Sequence, residues 1–253
     1  MKYTRWLKRP FAKAVAPQYV FVLCPPYCGS TLMHEMLCSS PAVSANNLFG
    51  TREGQSLPEY RRLIDYRRRW EEGYAYPWPI IKKIWQQYWD HSKPLLLDKS
   101  PPNLIRTAAL SQHFSPFYFI IMVRNPYVHC EGLMRRDKMS PQAAAALSLL
   151  CLRHQRHNLQ QHPQNSLLIR YEDLTEHPQK AQRQLLEFLP QLKTIKVDQT
   201  FKAHNQQGKP SKIKNMNAGK LERLQPGQLE RINAILGREK NLLAYFNYDF
   251  YNS

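Results

Sequence analysis

The chain has 253 residues, 43% of them hydrophobic, enough for one α/β domain with a sizeable core, and residues 1–253 read as a single domain. No apolar run approaches the roughly 18 to 20 residues a membrane helix needs, the longest lying near Phe117 to Val123, so no transmembrane segment is expected. Lys and Arg (36) outnumber Asp and Glu (19), a net charge of +17 that attracts polyanions; the cations are spread out, with only short clusters such as Arg67-Arg68-Arg69 and Lys209 to Lys214, which disfavours a nucleic-acid binder.

The basic start, Met1 to Pro10, precedes no long apolar segment and no small-residue cleavage site, so it does not read as a secretory signal. Strand-like runs follow at Tyr19 to Leu23, Pro94 to Leu97, Tyr118 to Val123 and Leu167 to Arg170. Helices are expected from Thr31 to Ser39, Leu57 to Trp70, Ile80 to Trp89, Asn103 to Gln112 and Pro126 to Arg136. Ser140, with Pro141 at the first helical position, opens a longer helix towards His162, and further helices span Pro178 to Phe188 and Gly227 to Leu236. Lys193 to Lys214 is left as an irregular basic segment. This alternation predicts a parallel sheet covered by helices. Cys24, Cys28, Cys38, Cys130 and Cys151 are odd in number and form no C-x-x-C pair, which predicts reduced thiols in a cytoplasmic protein rather than disulfides or a zinc site.

Two segments carry chemistry. Val20 to Leu32 is a buried-strand pattern running through Pro25-Pro26-Tyr27-Cys28-Gly29-Ser30-Thr31 into a helix, where unpaired amides and the helix dipole favour an anion. No Lys precedes Ser30 or Thr31, which argues against a Walker nucleotide loop. Phe119 to Tyr127 is a second strand, ending in Arg124 and a Pro-opened helix that brings Gly132 and Arg136 along at i+8 and i+12. Arg124 and Arg136 can converge on one phosphate; spacing alone equally allows a structural Arg124 and a solvated Arg135-Arg136 face.

These fragments resemble the sulfotransferases that use 3′-phosphoadenosine 5′-phosphosulfate (PAPS). The resemblance runs in order through Pro26 to Leu32, Leu97-Asp98-Lys99-Ser100-Pro101-Pro102-Asn103, Val123 to Tyr127, Arg170-Tyr171-Glu172-Asp173-Leu174, Phe188-Leu189, Lys214-Asn215-Met216-Asn217-Ala218-Gly219-Lys220 and Phe246-Asn247-Tyr248. It implies a P-loop-like three-layer α/β fold with a central, mostly parallel sheet flanked by helices. It also implies that Cys28, Gly29, Ser30 and Thr31 hold the 5′-phosphosulfate, with Tyr27 in the same loop. Arg124 and Arg136 would bind the 3′-phosphate beside Gly132, Tyr171 the nucleotide, and Lys214 and Asn217 would close over it. Lys99 resembles the family's catalytic lysine. Glu53, in Arg52-Glu53-Gly54-Gln55, is the expected base for the acceptor hydroxyl, with His34 and His129 as weaker candidates.

Two departures stand out. Tyr27 occupies a position where many members have Lys or Arg, so Lys99 or Arg52 is expected to compensate. Gly132 occupies a position where many have Ser, removing a hydroxyl contact worth on the order of 1 kcal/mol. The aromatic stretch Tyr74 to Pro79, with Trp85, Tyr88 and Trp89, reads either as an acceptor pocket or, preferred, as core packing. No metal is expected, since no acidic cluster has ligand spacing. The expected acceptor is a hydroxyl of a small molecule, sugar or peptide. A P-loop nucleotide kinase and a non-catalytic polyanion-binding module are the competing readings.

Overall fold

The computed structural model describes residues 16–201 and 211–251, so Met1 to Pro10 and Lys209, singled out above, lie outside the described residues. The chain passes through β1 (Gln18–Leu23), α1 (Ser30–Cys38), β2 (Val43–Ala45), α2 (Pro58–Arg61), α3 (Trp78–Gln86) and β3 (Leu95–Asp98). It continues with α4 (Thr107–His113), β4 (Phe117–Val123), α5 (Pro126–Asp137), α6 (Pro141–Gln161), β5 (Ser166–Arg170), α7 (Tyr171–Glu176), α8 (Pro178–Phe188), α9 (Pro226–Leu236) and α10 (Lys240–Tyr245). The strands form one parallel sheet in the order β2-β3-β1-β4-β5.

Helices cover both faces of this sheet, which is why β4, and β1 from Tyr19 on, carry no charged or amide side chain. Alternate residues go to opposite layers. Val20 and Val22 pack with Met33, Leu37 and Leu185 from α1 and α8, while Phe21 and Leu23 pack in an aromatic layer with Trp85, Trp89 and Phe114. A third cluster joins α5, α6, α9 and α10 through Tyr127, Leu149, Ile232 and Leu243. The aromatic stretch belongs to this interior: Tyr76, Trp78, Trp85, Tyr88 and Trp89 are buried, and Trp85 stacks on Tyr60 with ring centres 6.0 Å apart. Among the described residues no helix is long and apolar enough to cross a membrane.

Four expected strands and most helices appear within a few residues of their predicted bounds. The single helix predicted over Leu57 to Trp70 does not. It breaks into α2 and a 3-10 turn at Tyr66–Arg68, because the Asp65 carboxylate accepts from the Arg67 amide at 3.0 Å and starts a new turn. The helix predicted from Asn103 to Gln112 is likewise split at Arg106 into a 3-10 turn, Pro101–Ile105, and α4. Ser140 caps α6 as expected, its hydroxyl accepting from the Ala143 amide at 3.2 Å.

Parallel register aligns the carboxyl ends of β3, β1 and β4, pairing Phe21 with Asp98 and Leu23 with Ile121. One buried side chain of α6 ties two of these ends together. Gln155 Nε2 donates to the Leu23 carbonyl at 2.6 Å and the Met122 carbonyl at 3.0 Å. One turn on, Asn158 donates to the Leu104 carbonyl at 2.8 Å and accepts from the Thr107 hydroxyl at 2.7 Å, holding the loop after β3. Gln155→Leu therefore strands buried carbonyls and should lower unfolding free energy by about 1–3 kcal/mol in a denaturant titration. Gln160→Leu, on the exposed face of the same helix, should change it by less than about 0.5 kcal/mol.

Candidate active site

The chain leaves β1 through a tight loop in which Tyr27 (φ 59°) and Gly29 (φ 92°) adopt left-handed backbone. Only glycine fits the second position, because a Cβ there would stand 2.6 Å from the Tyr171 ring. Gly29 caps α1 with no side-chain hydrogen bond, so the first amides of this nine-residue helix face the opening above the sheet. Ser30 and Thr31 line that opening; Cys28 does not. Its amide donates to the Pro25 carbonyl at 3.3 Å and its side chain is buried in the core.

At the end of β3, Asp98 is fully buried and accepts from Asn46 Nδ2 (2.9 Å), the Gly54 amide (3.1 Å), the Ser100 hydroxyl (3.1 Å) and Asn103 Nδ2 (2.8 Å). Burial pushes its carboxyl up to about 6 despite these donors. The Asp98 oxygen would be 2.2 Å from a Cβ on Gly54, so this turn needs glycine. Anchoring Gly54 sets its neighbour Glu53 beside Lys99, with Oε1 3.2 Å from Nζ. Lys99 also donates to the Thr51 carbonyl at 2.5 Å, and Gln55 donates to Glu53 Oε2 at 2.6 Å. The carboxylate and the ammonium thus share one small region.

At the end of β4, Arg124 donates to Asn217 Oδ1 from Nε (2.9 Å) and Nη2 (2.7 Å) and to the Tyr27 carbonyl, with its guanidinium 3.8 Å over the Tyr171 ring. Asn217 in turn donates to Glu172 Oε1 at 2.8 Å, and the Tyr171 hydroxyl accepts from the Met216 amide at 3.1 Å. On α5, Arg136 lies 5.0 Å from the Tyr27 ring, whose hydroxyl donates to Asp137. A Cβ on Gly132 would come 3.3 Å from Tyr27 Cβ, so the two positions noted as departures above pack against each other. Lys220 approaches Arg124, Arg135 and Arg136; burial first and then these cations push its ammonium down to about 8, relieved in part by Glu131.

These groups surround a cavity of about 830 Å³, within the range of small-molecule sites. Of the residues singled out from the sequence, Tyr27, Gly29, Ser30, Thr31, Glu53, Lys99, Arg124, Arg136, Tyr171 and Lys214 line it. Asn217 acts from behind Arg124, whereas Cys28 and Gly132 pack outside the lining. Arg52, expected to compensate for Tyr27, instead pairs with Glu35 at 2.6 Å. His34 and His129 are buried outside the lining; burial holds both down at about 3, with Lys99 and Arg52 adding to it at His34 and Arg124 at His129. Lys220, Tyr66, Arg69 and Trp70 also line the cavity; the sequence pattern places the last three in a helix and gives Lys220 no role. No grouping of metal-ligating side chains occurs among the described residues.

A family model described as "Sulfotransferase family" matches residues 17–192. The sulfotransferase domain of the Synechococcus PCC 7002 olefin synthase is similar in structure, with a TM-score of 0.60 at 20% identity, covering 97% of this chain and 99% of that one. The sulfotransferase domain from the curacin biosynthetic pathway gives 0.53 at 19%, covering 93% and 99%. A sulfotransferase from Alicyclobacillus acidocaldarius gives 0.56 at 14%, covering 93% and 98%. Among curated proteins, none matches the sequence.

The two buried histidines generate a pH prediction. Their folded pKa is depressed, so the unfolded chain takes up protons near 6.5 while the folded chain does not until about 3. Their contribution to stability is therefore lost as pH falls through that window. His129→Gln should lose less melting temperature than the parent between pH 7 and pH 4; parallel curves would contradict the assignment.

Proposed function

The chain belongs to the sulfotransferase family, and from that premise we propose that it moves a sulfuryl group from PAPS to an acceptor hydroxyl. One observation carries the choice of donor: an anion cradle at the start of α1 shares its cavity with a cluster of Arg124, Arg136 and Lys220. A nucleotide anionic at its 5′ end and again at its 3′ position fits two such centres. Gly29, Ser30 and Thr31 would receive the phosphosulfate. Arg124, Arg136 and Lys220 would receive the 3′-phosphate, with Asn217 orienting Arg124 and Tyr171 beside the nucleotide. Lys214 lies on the late segment that covers this side.

In the proposed reaction the acceptor oxygen bonds to sulfur as the bond from sulfur to the bridging phosphate oxygen breaks. Glu53 takes the hydroxyl proton, because an alcohol attacks well only as that proton departs. Lys99 turns its ammonium to the leaving oxygen, where negative charge develops. The ion pair between them holds both groups ready at 3.2 Å. We read the acceptor as a hydroxyl on a small molecule, sugar or peptide, the chain as one domain and its setting as reduced and cytoplasmic.

Calorimetry should find adenosine 3′,5′-bisphosphate bound at least about tenfold more tightly than AMP, the 3′-phosphate adding charge-assisted contacts. Arg124→Ala should erase that preference; equal affinity for both nucleotides in the parent protein would refute the donor assignment. Release of the bisphosphate from PAPS gives a second reading. Lys99→Ala and Glu53→Gln should slow it about a hundredfold or more, with Glu53→Gln holding bisphosphate affinity within about twofold. Normal turnover by Glu53→Gln would remove Glu53 as the base.

A further inference from the structure

Three successive arginines, Arg67, Arg68 and Arg69, meet different surroundings. Arg67 and Arg68 are exposed and each faces a carboxylate, Asp65 at 3.3 Å and Glu71 at 2.7 Å. Arg69 is half-buried and lines the cavity, and no ion pair joins it to a carboxylate among the described residues. Its guanidinium lies 4.1 Å over the Tyr66 ring and donates from Nη1 to the Tyr66 carbonyl at 2.8 Å. That contact orients the fork while leaving most of its donors open.

The backbone around Arg69 is fastened to the chemical end of the cavity. The buried Arg106 guanidinium donates to the carbonyls of Arg69 (2.8 Å), Glu71 (3.1 Å) and Pro102 (2.9 Å). Residues 66–70 are thereby joined to the turn that directly follows Lys99, so Arg69 shares a wall with the groups assigned to sulfuryl transfer. Charge balance supplies an independent argument. Among the described residues nine Lys and Arg and two carboxylates line the cavity, and a third carboxylate, Glu131, pairs with two of those cations, Arg135 at 2.7 Å and Arg223 at 3.4 Å. The proposed donor carries about four negative charges, about two of them on its 3′-phosphate. A positive excess remains with the donor in place, and a low-dielectric cleft of one sign draws a further anion.

Resting on the donor reading above, we propose that Arg69, flanked by Tyr66 and Trp70, receives an anionic oxygen group of the acceptor. The molecule sulfated would then carry a carboxylate, phosphate or sulfate close to the hydroxyl that reacts. Arg69 acts here as a specificity-determining residue for the acceptor.

The test is calorimetric, with inorganic phosphate titrated into protein already saturated with adenosine 3′,5′-bisphosphate. Phosphate should bind the saturated protein, and Arg69→Gln should weaken that binding about tenfold or more, the loss of a bidentate charge-assisted contact. Arg67→Gln, which changes a neighbouring exposed arginine, should leave phosphate binding within about twofold, and both variants should keep their bisphosphate affinity. No phosphate binding, or equal binding by the parent and Arg69→Gln, overturns the proposal. If the bisphosphate itself fails to bind, the donor reading fails first and takes this inference with it, an outcome visible before any phosphate is added.

Discussion

A single buried guanidinium at the tip of β4 organises the cavity. Arg124 reaches the loop after β1 through the Tyr27 carbonyl, α7 through the face of Tyr171, and the late segment through both bonds to Asn217. These three elements are far apart in sequence, and Arg124 is a partner that all of them share. Its burial is tolerated because its donors have acceptors and its face has an aromatic ring, the conditions under which a charge can leave water. Behind it Glu172 collects Asn217, the Asn125 amide and the Tyr248 hydroxyl, so the anchor is itself anchored.

A second buried charge plays the matching part at β3. Asp98 gathers four donors around a carboxylate that touches no cavity wall, and through the Gly54 amide it sets Glu53 against Lys99. Two strand tips thus carry two different tasks. In the proposed reading, one fixes cations where a nucleotide's far phosphate would lie, and the other sets Glu53 and Lys99 where sulfur would change partners. The parallel register of β3, β1 and β4 brings the two within one cavity, and Gln155 of α6 keeps the ends of β1 and β4 from separating.

Much of this was legible from residue order alone. The apolar runs of β1 and β4 announced strands buried on both faces, and the Gly29-Ser30-Thr31 turn announced unpaired amides. What escaped reading depends on contacts that local pattern does not contain. The three-residue β2 is too short to show a period, and the break at Asp65 follows from a side chain accepting its own neighbour's amide. Tyr27 and Gly132, 105 positions apart as numbered, pack against each other, a contact that residue order does not show. Arg52 is engaged by Glu35, a contact made across the fold, and nothing in the run Arg67-Arg68-Arg69 tells the cavity-lining Arg69 from its exposed neighbours.

The proposed reaction requires that two anion centres receive the two ends of one donor. A crystal structure with adenosine 3′,5′-bisphosphate tests this most directly. It should place the 5′-phosphate on the amides of Gly29 to Thr31 and the 3′-phosphate among Arg124, Arg136 and Lys220. A nucleotide bound the other way round, or outside this cavity, would contradict it.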